Sequence, residues 1–146
     1  MSAGILLDTN VLIALAWPKQ RAHSKVREWF REHASQGWAT CPVTQGGFIR
    51  ISSNPAFSPD AVTPYEAASL LRLNLNQPGH RFWSDDIDLA QVFDVFGSRV
   101  TGHRQITDAY LLGLAMHKKS KLATLDQGLR GLLPDPSSQR EFLVFV

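Results

Sequence analysis

Cysteine is nearly missing from this chain: Cys41 is the single one in 146 residues. An internal disulfide framework is thereby excluded, and a reducing compartment, the cytoplasm, is the expected setting. Long apolar runs are missing as well. None approaches the roughly 20 residues that span a bilayer, so no membrane partner is expected. The opening MSAGILLDTN has no basic stretch ahead of its apolar run, and Asp8 interrupts that run, which argues against a signal peptide or an anchor. Charge of one sign is scarce: 15 Lys and Arg against 13 Asp and Glu leave a net +2. That balance is compatible with a polyanionic partner without demanding one. The five histidines show neither an HExxH pattern nor paired zinc spacing, so no zinc site is expected. No glycine-rich fingerprint follows the first apolar run, which excludes a dinucleotide-binding unit. There is no internal repeat and no low-complexity segment.

What is present is apolar material for one core, 44% of a chain whose length suits a single domain over residues 1–146. Gly4 to Leu7 is too short for a helix and reads as a buried strand with Asp8 at its carboxyl end. Thr9 is placed to cap a helix that runs to about Trp17 and stops at Pro18. His23 to Ala34 is amphipathic, with Val26, Trp29 and Phe30 on one side. A strand at Trp38–Thr40, a helix at Thr44–Ser53, a loop at Asn54–Pro59 and a helix at Pro64–Leu73 follow. His80–Trp83 is the third strand, after the turn Gln77-Pro78-Gly79. Ser84–Asp86 can cap a helix over Ile87–Phe93. After a loop at Gly97–Gly102 comes a helix, Thr107–Lys118, with Ala109, Leu112 and Ala115-Met116 on its buried side. Lys121–Leu125 is the fourth strand, with Asp126 at its carboxyl end; Gln127–Leu132 is short and helical, and Glu141–Val146 closes the chain as a strand. Alternating strands and helices predict an α/β fold: a three-layer α/β/α sandwich around a mainly parallel sheet of four to five strands. Ligands of such sheets sit beyond the carboxyl ends of the strands.

Three acids fall in compatible places: Asp8 after the first strand, Asp108 in the first turn of the long helix, and Asp126 after the fourth strand. Brought together, their carboxylates repel; two unit charges ~4 Å apart cost roughly 4 kcal/mol at an effective dielectric of ~20. Protons or a cation must then offset them. All-oxygen ligands suit a hard ion, Mg²⁺ or Mn²⁺, which keeps several waters and is shared with substrate phosphates. That chemistry serves phosphodiester cleavage. Each acid also has a purely structural role open to it: Asp8 as a helix cap, Asp108 as a charge favoured by the helix dipole, Asp126 as a turn residue.

The segment Leu6-Leu7-Asp8-Thr9-Asn10-Val11-Leu12-Ile13 resembles the opening motif of PIN-domain ribonucleases. Thr107-Asp108-Ala109-Tyr110-Leu111-Leu112 with Ala115 resembles their third acidic motif, and Leu122-Ala123-Thr124-Leu125-Asp126 their fourth. Within that family the chain is similar to the VapC toxins of bacterial toxin–antitoxin pairs. The resemblance implies a compact α/β/α domain that binds Mg²⁺ (or Mn²⁺) through Asp8, Asp108 and Asp126, cleaves RNA as an endoribonuclease, forms a homodimer and is silenced by a cognate VapB-like antitoxin. An apolar surface for that antitoxin is expected among Leu12, Leu15, Trp17, Trp29 and Phe30.

The chain departs from the family pattern once. A Glu is usual in the helix after the second strand, a few residues before an Arg, and here the stretch reads Thr44-Gln45-Gly46-Gly47-Phe48-Ile49-Arg50. Gln45 is the candidate for that position, with Gly47 the alternative under another alignment. An amide can hold a water but supplies neither charge nor a base, so the departure leaves open whether one metal or two are bound. Arg50, His103 and Arg104 are the candidates for RNA contact. Asp85, Asp86 and Asp88 open a helix, and Lys118, Lys119 and Lys121 follow one, as the helix dipole favours. A phosphatase of the haloacid dehalogenase type also starts from an Asp after its first strand, but Asn10 stands where its second Asp is needed. The remaining alternative is a catalytically weak or inactive PIN domain that binds RNA or protein.

Overall fold

The computed structural model describes residues 3–146. Five short strands form one sheet: β1 (Ile5–Leu7), β2 (Trp38–Thr40), β3 (His80–Phe82), β4 (Leu122–Thr124) and β5 (Leu143–Phe145). Their order across the sheet is β3-β2-β1-β4-β5, and every neighbouring pair is parallel. The order reverses between β1 and β4, the place where an open parallel sheet leaves a crevice beyond its carboxyl ends. Among the described residues seven α-helices cover the two faces: α1 (Thr9–Ala16), α2 (His23–His33), α3 (Pro42–Ser52), α4 (Pro64–Leu75), α5 (Leu89–Phe96), α6 (Ile106–His117) and α7 (Pro136–Phe142).

Side chains alternate between the faces along each strand. Leu6, Ala39, Leu122 and Leu143 join the core under α5 and α6, with Phe96, Leu111 and Leu114. Leu7, Trp38 and Ala123 face the opposite core with Val11 of α1, Val26 of α2, Phe48 of α3 and Leu71 of α4. The predicted α/β/α architecture is therefore present, with a sheet parallel throughout.

Several boundaries differ from the sequence reading, each for a local reason. Asp8, not Thr9, is the N-cap of α1: its side chain accepts from the Thr9 N–H at 2.7 Å. Helix α3 begins two residues earlier than expected, because Pro42 takes the first helical position and Thr44 Oγ1 accepts from the Cys41 N–H. Helix α5 starts late; of the three clustered acids only Asp88 caps it, accepting from the Gln91 N–H, and Gly97 at φ +55° ends it. Helix α4 opens with a reciprocal Thr63–Glu66 cap. The one helix not anticipated is α7, started by Asp135 and Pro136, which shortens the closing strand to β5. Helix α6 is buried all round from Ala109 to Ala115, not on one side. It lies between the sheet and α5, and approaches α5 so closely that a Cβ on Gly113 would stand 2.8 Å from Val92.

Candidate active site

Strand β1 delivers Asp8 to the carboxyl edge of the sheet at the reversal between β1 and β4. The residue is 5% exposed, and each carboxylate oxygen has a partner. Oδ1 takes the Thr9 N–H, and Oδ2 accepts from the Thr124 hydroxyl at 2.8 Å. Thr124 ends β4 fully buried and joins the two edges of the crevice. Besides donating to Asp8, it accepts from the Asp126 N–H at 3.0 Å and from Asn10 Nδ2 at 3.4 Å. Asn10 in turn accepts from the Leu125 N–H with its side-chain oxygen. Asn10 and Thr124 were not singled out from sequence as site residues. The available signal was that both lie inside the first and fourth motifs, two residues from Asp8 and from Asp126.

Asp108 sits half-buried in the first turn of α6, and Asp126 is exposed after β4, capping the 3₁₀ turn Gln127–Leu132 through a bond from the Gly128 N–H at 2.8 Å. The three acids influence one another's charge. Burial first, then the charges of Asp8 and Asp126, push Asp108 up to about 6 from an ordinary 3.8. Burial raises Asp8 too, against the lowering hydrogen bonds from Thr124 and Thr9, with Asp126 adding to the rise. Among the described residues, however, no three acidic, His or Cys side chains converge closely enough to cage an ion. One or two carboxylates plus water and phosphate oxygens is what Mg²⁺ accepts, so the donor set fits such an ion without a closed cage.

These coupled titrations predict a pH dependence. Both folded values lie above those of the unfolded chain, so the folded protein binds these protons more tightly. The stabilising contribution of Asp108 is complete below about pH 4 and is lost as pH climbs through about 6, and that of Asp8 is lost as pH rises through its own raised value. Asp108→Asn, which mimics the protonated acid, should therefore gain stability relative to wild type between about pH 4 and about pH 7.5. Urea denaturation in a chelator measures the gap at both ends; a gap that stays constant or shrinks counts against the coupling.

A pocket of about 510 Å³ is lined by Asp8 and Asp108 together with Thr9, Asn10, Thr107 and one face of α3: Pro42, Val43, Gly46, Gly47, Arg50 and Ile51; Asp126 does not line it. Arg50 is exposed at its wall. His103 and Arg104 are exposed in the 3₁₀ turn His103–Gln105 ahead of α6 and do not line the pocket. Gln45 does not line it either; its amide donates to Thr40 Oγ1 at 3.0 Å, which also contacts His80 Nε2 at 2.7 Å. Gly47 packs on α1, where a Cβ would stand 2.7 Å from Thr9 Oγ1, whereas Gly46 faces open space. Helix propensity and packing then give opposite results for neighbouring glycines. Gly46→Ala should raise stability by about 1 kcal/mol, and Gly47→Ala should lower it, as read by denaturation midpoints.

The other candidates resolve into structure. Lys118, the residue that caps the end of α6, pairs with Asp86. Trp17 donates to Ser52 Oγ and meets Phe57 edge-on at 6.0 Å, away from the pocket. Leu12 is 2% exposed and belongs to the core, not to an outer surface; Leu15, Trp17, Trp29 and Phe30 are half-buried against the same core.

A family model described as PIN domain matches residues 5–132. Ribonuclease VapC38 of Mycobacterium tuberculosis (strain ATCC 25618 / H37Rv) is 44% identical over 124 residues, covering 85% of this chain and 86% of the relative. Ribonuclease VapC44 of the same strain is 34% identical over 138 residues, covering 94% and 96%. Among solved structures, the crystal structure of VapBC2 from Rickettsia felis bound to a DNA fragment from its promoter superposes with a TM-score of 0.65 at 11% identity, over 97% of each chain. That likeness is one of fold.

Proposed function

The chain belongs to the PIN-domain family, and on that premise we propose that it is a divalent-metal-dependent endoribonuclease, the toxin of a toxin–antitoxin pair restrained by a cognate antitoxin. The observation that carries this reading is the buried Asp8 in a pocket it shares with Asp108, charge-coupled to Asp108 and Asp126. The ribonuclease names of relatives that align along most of the chain support it.

In this reading Asp8 and Asp108 hold Mg²⁺ or Mn²⁺, with Asp126 adding charge from across the crevice. Such an ion would activate a water and offset the charge on the departing oxygen. The protein's own groups do the rest. Thr124 and the Thr9 N–H fix the orientation of the Asp8 carboxylate, so it need not reorganise when substrate arrives. Arg50 offers a guanidinium to the RNA backbone at the pocket wall. His103 and Arg104 extend that basic contact outside it. Gln45 acts through Thr40, without supplying a charge.

An antitoxin site is supported by a groove of about 500 Å³ between α1, α2 and α4, where Leu15 and Phe30 lie beside Arg27 and Arg31. Apolar floor and basic rim suit an acidic amphipathic segment. The single-domain reading of 1–146 is supported by β5, which lies beyond the matched residues and still pairs with β4. The proposed setting is the cytoplasm, and the proposed assembly a homodimer. An inactive binding module is the alternative. Purified protein incubated with mixed RNA separates the two: cleavage that requires Mg²⁺ or Mn²⁺ and stops with a chelator is expected, and intact RNA under all conditions would leave only the binding module.

A further inference from the structure

A second pocket, about 320 Å³, adjoins the carboxylate pocket and shares Val43 and Thr107 with it. Its walls include Ile87, Leu89 and Ile106; Leu89 is 47% and Ile106 40% exposed, unusual for large apolar side chains next to a polar site. Three polar side chains line it: Asp85, Tyr110 and the shared Thr107. Tyr110 is 7% exposed, and its hydroxyl is buried without a hydrogen bond of normal geometry, although the Asp85 carboxylate lies beside it. A buried hydroxyl left so costs free energy that a ligand can recover. A phenol is protonated at neutral pH and is hence a donor. Asp85 is exposed and able to turn.

Apolar walls with a few polar groups at one side are how proteins take up an unstacked base. Away from Thr107, which lies where the two pockets meet, Tyr110 and Asp85 present one donor, the phenol, next to two carboxylate acceptors. Guanine's Watson–Crick edge is the complement: the O6 acceptor beside the N1–H and N2–H donors. Uracil would set its carbonyl oxygens against the carboxylate, and cytosine and adenine offer one amino group beside an acceptor nitrogen. Resting on the ribonuclease reading, we propose that this pocket binds a guanine of the RNA substrate next to the scissile phosphate, with Asp85 and Tyr110 as specificity-determining residues.

The test uses a randomised single-stranded RNA library cut by the full chain with Mn²⁺ and sequenced at the new ends. Guanine should be enriched at one fixed position beside the cut. Replacing it by inosine, which lacks the N2 amine, should lower kcat/KM roughly tenfold, within the range of a two-hydrogen-bond contact to a base. In Asp85→Asn the guanine-to-inosine ratio should fall to about one, and Tyr110→Phe, which keeps the packing, should weaken the guanine preference in part. A preference that Asp85→Asn leaves intact overturns the proposal. So does a change of oligomeric state in that variant without a change of preference, which would make this face a seam between two copies. Cleavage without any guanine preference removes the pocket and leaves the nuclease; no cleavage by the wild-type chain removes both.

Discussion

Asp8→Asn is expected to lower RNA cleavage by about a thousandfold or more, with the fold as stable as before. The substitution is nearly isosteric. Asparagine caps a helix as well as aspartate does, so the bond from the Thr9 N–H to Oδ1 survives, while the new amide NH2 faces the Thr124 hydroxyl and donates to it, reversing that bond. What is lost is one negative charge at a site where charge holds the ion. An ion in such a site contributes several kcal/mol of transition-state stabilisation, and about 4 kcal/mol corresponds to a factor of a thousand. Metal-free, the variant should be no less stable, because Asp8 is charged at a cost: burial raises its pKa and Asp126 repels it. Initial rates on a mixed RNA and urea midpoints in a chelator read both halves. Full activity would reduce Asp8 to a helix cap. An unfolded variant would show that its negative charge, not its shape, holds β1 to β4.

Trp38→Ala should lower stability by about 3–5 kcal/mol, a large share of the roughly 5–15 kcal/mol by which domains of this size are stable. Trp38 is 1% exposed at the start of β2 and faces the core under α1 to α4. Its ring meets Phe30 edge-on at 5.1 Å and lies 4.7 Å from His80, while its indole N–H donates to the Pro78 carbonyl at 3.0 Å. Alanine removes these contacts together and leaves that carbonyl without its donor. The cavity lies between β2 and α2, away from the carboxylate pocket, so the fraction still folded should cleave RNA at the wild-type rate. Unfolding by circular dichroism, with activity normalised to folded protein, separates the two effects. A loss below about 1 kcal/mol would mean that α2 collapses onto the sheet and refills the space.

Strands β1 and β4 were legible because each is a short apolar run leading into an acid, Asp8 or Asp126, whereas the polar β3, His80–Phe82, was legible only from the turn Gln77-Pro78-Gly79 ahead of it. The helix ends were less legible. Asp88 and Asp86 look alike in sequence, yet one caps α5 and the other pairs with Lys118, a choice made by tertiary distance. Helix α7 was missed because Pro136 to Phe142 is polar and no residue in it is buried, so it carries no apolar period. At the candidate site, Asp8, Asp108 and Asp126 were chosen from topological position and motif. Thr124 and Asn10 were not, because their roles lie in hydrogen bonds across more than a hundred residues, as between Thr124 and Asp8. Gln45 shows the same limit: only the structure shows its amide on Thr40.

Asp8 and its neighbouring carboxylates are proposed to bind a divalent ion. The direct measurement is Mn²⁺ titration followed by electron paramagnetic resonance, on wild type and Asp8→Asn, at about pH 7.5, above the Asp108 titration. Wild type should bind Mn²⁺ with loss of the free-ion signal, Mg²⁺ should compete, and Asp8→Asn should bind at least about tenfold more weakly. Equal binding by the two proteins, or none by wild type, would contradict the claim.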